Sequence, residues 1–109
     1  MAVQSHLFQK LFVAQSALDT LSVVVDCINF ERFRVYHIGT AGVTAGAIQI
    51  EHSPDPSFSG TWLVLATPDT VAANAVKSIA IGVSVLRYVR ARISTAVTGG
   101  TVDLWLVAN

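Results

Sequence analysis

Residues 86–109 constrain the fold more than any other part of the chain. They read LRYVRARIST, AVTGG and TVDLWLVA, two runs of alternating apolar and polar residues separated by a Thr98–Gly100 turn. In the first run Val89, Ala91 and Ile93 fall on one face, and Tyr88, Arg90 and Arg92 on the other. In the second, Val102, Leu104 and Leu106 oppose Asp103 and Trp105. A side-chain period of two marks an extended strand with one buried face, so this segment predicts an antiparallel hairpin.

The same period recurs upstream. Strand candidates are Leu21–Asp26, Glu31–Ile38, Ala47–His52, Thr61–Ala66, a weaker Val71–Val76, and Ser78–Val85. Turn chemistry separates them: Asn29 after Cys27, two glycines in Thr40–Gly46, two prolines in Ser53–Gly60, and Pro68 within Thr67–Thr70. Short strands at this spacing, uninterrupted by a long helical pattern, predict an all-β fold, a β-sandwich or barrel, with an antiparallel β-sandwich of jelly-roll-like connectivity as the expected form. The expected core is Val23, Val25, Phe33, Val35, Ile48, Ile50, Leu63, Leu65, Ile79, Ile81, Val89, Ile93, Leu104 and Leu106.

The chain is short enough to be one domain, divided here into residues 1–20 as an N-terminal arm or first edge segment and 21–109 as the sandwich. Leu7, Phe8, Leu11 and Phe12 have helical spacing, which fits a turn or two of amphipathic helix; an extended arm fits as well. Burying each of these large apolar side chains contributes roughly 1.5–3 kcal/mol. Phe8, Leu11 and Phe12 are therefore candidate anchors on a neighbouring subunit or another surface, the alternative being packing on their own domain.

Hydrophobic residues make up 52% of the 109 residues and charged ones 13%, with zero net charge. The charged share is about half the usual one, which points to buried surface between subunits as well as within one. A neutral chain has no general electrostatic grip on nucleic acid, so no direct nucleic-acid partner is expected. The longest strand-like apolar segment, around Ile79–Leu86, falls far short of the roughly 20 residues of a membrane helix, and no membrane partner is expected. Nor does the N-terminus read as a signal peptide.

Candidate chemistry is sparse. Cys27 is the single cysteine, so the expectation is a buried thiol without a disulfide. His6, His37 and His52 have no zinc-motif spacing, although His37 and His52 could meet on paired strands. Asp55 lies among hydroxyls in a loop without EF-hand spacing. Neither a nucleophile elbow nor a phosphate-binding loop is present. The expectation is a protein that is not an enzyme, with no catalytic residues, no metal site and no cofactor.

The polar strand positions form the candidate partner-binding set. Arg34, Tyr36, Tyr88, Arg90, Arg92 and Trp105 are expected on non-core faces, as one decorated surface. Arg, Tyr and Trp are the residue types enriched at interface hot spots. Their ordinary role would be cross-strand pairing with acidic neighbours such as Glu51 and Asp103.

The order VVVDCINFERFRV, GAIQIEHSPDPSFSGTWLVLA, VLRYVRARIST and GGTVDLWLVAN resembles small structural proteins of tailed bacteriophage virions, over Leu21 to Asn109. By size the resemblance is greatest to capsid decoration (cement) proteins. It implies a β-sandwich or jelly roll that forms a homotrimer, clamps the major capsid protein, and is made in the host cytoplasm to reside on the capsid exterior of the virion. It carries over no catalytic residue. The Pro-rich loop departs from the usual Asp-Gly-Thr-rich version, which weakens any loop-borne binding role. The alternative is a tail, baseplate or head-fibre module that binds a carbohydrate or another virion protein.

Overall fold

A computed structural model describes residues 6–109. Eight strands run in order: β1 Leu7–Gln15, β2 Val25–Asp26, β3 Phe33–Gly39, β4 Ala45–Ser53, β5 Leu63–Thr70, β6 Val76–Ile81, β7 Tyr88–Thr98 and β8 Val102–Ala108. They form two four-stranded antiparallel sheets, sheet I in the order β1-β8-β3-β6 and sheet II in the order β2-β7-β4-β5. The chain crosses between the sheets at nearly every connection, which is the connectivity of an eight-stranded jelly roll.

The core lies where the inner faces meet. Sheet I contributes Phe12, Val35, Leu104 and Leu106; sheet II contributes Ile48, Ile50, Val89, Ala91 and Ile93. The alternation in 86–109 reads directly onto β7 and β8, with Val89, Ala91 and Ile93 inward and Tyr88, Arg90 and Arg92 outward. Gly99 closes the intervening turn at φ +80, and a Cβ there would collide with the Gly42 carbonyl. Thr98–Gly100 therefore needs its glycine.

Several boundaries differ from expectation, each for a physical reason. Pro68 does not end a strand: β5 runs through it to Thr70, and Val71–Ala75 lies outside any strand. β5 is a sheet edge with irregular register against β4, where Ile48 faces Asp69 but Ile50 faces Ala66. Proline's missing N–H is tolerated at an edge or bulge. Only Val25–Asp26 of the first candidate strand pairs as a strand, with Leu21 making an isolated bridge to Arg92. Val23 is consequently exposed rather than in the core. Leu63, at the start of an edge strand, is also exposed, and Ile79 and Ile81 on edge strand β6 are only partly buried.

The N-terminal segment is an edge strand, not a helix. β1 pairs with β8, with Lys10 opposite Trp105 and Phe12 opposite Leu104, so Leu11 is an extra, bulged residue. The bulge turns two successive side chains toward the core, and both Leu11 and Phe12 are buried. A second irregularity follows at Ala14, with φ 49, whose N–H donates to the Asp103 carboxylate at 2.7 Å. Adjacent apolar pairs that mimic a helical period are thus placed by a bulged strand. Leu11 and Phe12, candidate anchors on a partner, are core residues of their own domain; Phe8 is 71% exposed.

Candidate partner-binding face

The decorated residues do not form one surface. Arg34, Tyr36 and Trp105 lie on the outer face of sheet I, whereas Tyr88, Arg90 and Arg92 lie on the outer face of sheet II, on the other side of the sandwich. The expected single face is corrected to two, and the two have opposite character.

On sheet II the arginines are already engaged. Glu51 on β4 faces Arg90 across the ladder, and Gln49 faces Arg92. The Glu51 carboxylate accepts from Arg90 Nε at 3.0 Å, Arg92 Nε at 3.0 Å and Gln49 Nε2 at 2.8 Å. Arg92 also reaches Asp19 at 2.8 Å. The Glu51 hydrogen bond is the leading cause that holds the Arg92 guanidinium above its ordinary pKa. Trp62 closes the cluster, its ring centre 4.1 Å from the Arg90 guanidinium and its Nε1 donating to the Phe58 carbonyl at 2.8 Å. Glu51 and Trp62 are buried, although they lie outside the core between the sheets. The sequence expects the arginines to pair with Glu51 across the ladder, but singles out neither the burial of that carboxylate nor Trp62. The signal was the Glu51–Arg90 pairing combined with a tryptophan beside a loop stiffened by two prolines.

That loop is itself internally satisfied. Asp55 accepts from the Ser57 N–H at 3.0 Å and the Ser57 hydroxyl at 2.9 Å, which hold its carboxyl below the usual range. At the far end of sheet II, Tyr88 lies under the Arg87 guanidinium at 5.0 Å, and Arg87 pairs with Asp26 at 3.0 Å.

On sheet I the outer face is open. One row across it reads Lys10, Trp105, Tyr36, Ser78; the next reads Phe8, Val107, Arg34, Ala80; a third holds Asp103, Ile38 and Val76. Phe8, Tyr36, Ile38, Val76 and Trp105 line a shallow apolar concavity of about 350 Å³. Lys10 caps its rim, 4.9 Å from the Trp105 ring centre and 3.5 Å from Asp103. Aromatic side chains ringed by a few charges are the residue types enriched at interface hot spots. Three predicted residues, Phe8, Tyr36 and Trp105, converge on the concavity, and Arg34 lies on the same outer face.

The histidines do not meet. His37 is on sheet I and His52 on sheet II. His37 contacts Asp69, and His52 Nδ1 accepts from the Leu86 N–H at 3.1 Å. Among the described residues no group of three His, Cys, Asp or Glu side chains could hold a metal ion. Cys27 is buried, and burial pushes its thiol up to about 11.

Comparison with known proteins adds to this geometry. No protein-family model matches the chain, and no curated protein matches it. Among solved structures, the SPBc2 prophage-derived protein YomS superposes with a TM-score of 0.67 over 99% of this chain and 96% of its own, at 13% identity. At that identity the likeness is one of fold, and it spans the jelly roll from end to end. The Tobacco streak virus coat protein is also similar, at 13% identity over 95% of this chain and 85% of its own, with a TM-score of 0.35.

Proposed function

We propose that this chain is a structural protein of a bacteriophage virion and not an enzyme: a capsid decoration (cement) protein on the capsid exterior. In this reading it binds the major capsid protein through the outer face of sheet I and acts as a homotrimer. The observation that carries it is the open row of Phe8, Tyr36 and Trp105 on a jelly roll whose other outer face is closed by its own salt bridges. The whole-chain likeness in fold to a prophage-derived protein supports the phage context. The low charge of the chain supports self-association.

Co-sedimentation with capsids of the encoding phage tests this. The protein should bind to saturation at high copy number, and Trp105→Ala combined with Tyr36→Ala should weaken binding by about thirtyfold, the scale of a hot-spot loss. Unchanged binding by that variant would overturn the assignment of the face. Light scattering checks the trimer, which a stable monomer both free and on capsids would exclude. A chain absent from capsids whose Trp105 emission is quenched by a sugar, with buried Trp62 unaffected, would instead be a tail or baseplate carbohydrate module.

A further inference from the structure

One edge of the sandwich is tied by a polar cluster set into the core. His37 on β3 is fully buried, and its Nε2 lies 2.8 Å from Asp69 Oδ2 on β5 of the opposite sheet. The other Asp69 oxygen accepts from Lys77 Nζ on β6 at 3.0 Å. Lys77 also donates to the Thr70 carbonyl at 2.8 Å and the Thr70 hydroxyl at 3.1 Å. Since β3 and β6 belong to sheet I and β5 to sheet II, the cluster clamps one sheet to the other. His37 Nδ1 is buried and has no hydrogen-bond partner among the described residues.

This arrangement determines where the ring proton sits. A carboxylate only accepts, so Nε2 carries the hydrogen and Nδ1 keeps a bare lone pair. A second proton would create a buried N–H without an acceptor, which costs far more than an idle lone pair. The charged groups facing the ring are Asp69 from β5 and Lys77 from β6; β8 sets the apolar Leu104 opposite it. One carboxylate is thus already shared with an ammonium.

We infer that His37 is a pH-operated latch: neutral, it holds β5 against sheet I; protonated, it releases that edge of the sandwich. Burial depresses the His37 pKa below its ordinary 6.5, and the Asp69 hydrogen bond only partly opposes this. The unfolded or opened chain therefore binds the proton more readily. Stability from the latch is fully present above the ordinary value and is lost as pH falls through the folded one.

Nitrogen NMR of the histidine rings in the full chain, combined with amide exchange, tests the latch. The His37 ring should be the Nε2–H tautomer and titrate below 6.5. Between about pH 7.5 and pH 5, exchange protection of β5 and β6, corrected for intrinsic rates, should fall about tenfold or more. His37→Gln, which can still donate to Asp69 but cannot titrate, should show no such fall. His52 is also depressed by burial, so His52→Gln serves as the control and should leave the β5–β6 response intact. A His37 midpoint at or above the ordinary value, or an equal fall in His37→Gln, would overturn the inference. If His37→Gln does not fold, the ring titration of the unmodified protein decides alone.

Discussion

The two outer faces start from similar sequence and end in opposite states. Sheet II places Arg90 and Arg92 on β7, and sheet I places Arg34, Tyr36 and Trp105 on β3 and β8. On sheet II a carboxylate sits directly across the ladder from an arginine, and a tryptophan from the next loop covers the pair. On sheet I the residues opposite Tyr36 are Trp105 and Ser78, and among the described residues only Lys10, at the edge of the row, reaches over a ring and pairs with a carboxylate. An arginine–aromatic alternation is therefore not by itself a binding surface. What its neighbours present across the ladder decides whether it turns inward upon the protein or outward to a partner.

Substitutions on the two faces can break this contrast. Trp62→Ala should have the largest effect, about 3–5 kcal/mol of stability by urea unfolding, since the ring is buried at 2% exposure. A loss no larger than that of a surface change would mean that sheet II is as open as sheet I. Glu51→Gln should cost about 3 kcal/mol, because it strands two partly buried guanidinium groups without their shared counter-charge. Trp105→Ala should cost under about 1 kcal/mol, its neighbours being half-exposed, while reducing capsid binding. Smallest of all, Lys10→Ala should shift stability within about 0.5 kcal/mol, and the shift should vanish in high salt, as for an exposed ion pair.

Acid titration sharpens the contrast further. Hydrogen bonds from Arg87 hold Asp26 below its ordinary 3.8. Its stabilisation is present above that value and lost as pH falls through the lower folded value. An unfolding midpoint followed from pH 5 to pH 2 should fall through this window. It should fall less in Asp26→Asn, the variant that has no carboxylate there to protonate.

The sequence was legible where alternation was clean and the neighbours were apolar. Val35, Ile48, Ile50, Leu65, Val89, Ile93, Leu104 and Leu106 are buried as their period implies. Val23 and Leu63 fail because an apolar residue at a sheet margin lacks a facing layer, which no local pattern reveals. Phe12 was hidden by a bulge, an insertion that breaks the period it would otherwise obey. His37 follows the same alternation as Phe33 and Val35, so its inward position was readable; its partner Asp69, thirty-two residues away, was not. The candidate face was half legible: Phe8, Tyr36 and Trp105 line one concavity with Arg34 on the same sheet face, while the remaining residues belong to the core or to the opposite sheet.

The position of β8 has a consequence for how the chain is made. The last strand in sequence lies between β1 and β3, the second neighbour being nearly seventy residues away from it. While synthesis proceeds from the N-terminus, β1 and β3 have no strand between them until Val102–Ala108 leaves the ribosome. Sheet I is therefore completed only when β8 emerges, and its aromatic row comes into being in the same step. Such distant pairing places refolding in the slow range of about milliseconds to seconds. A stalled nascent chain lacking β8 should expose Phe12 and Val35 to chaperones, and only the docking of β8 would create the surface that a partner could meet.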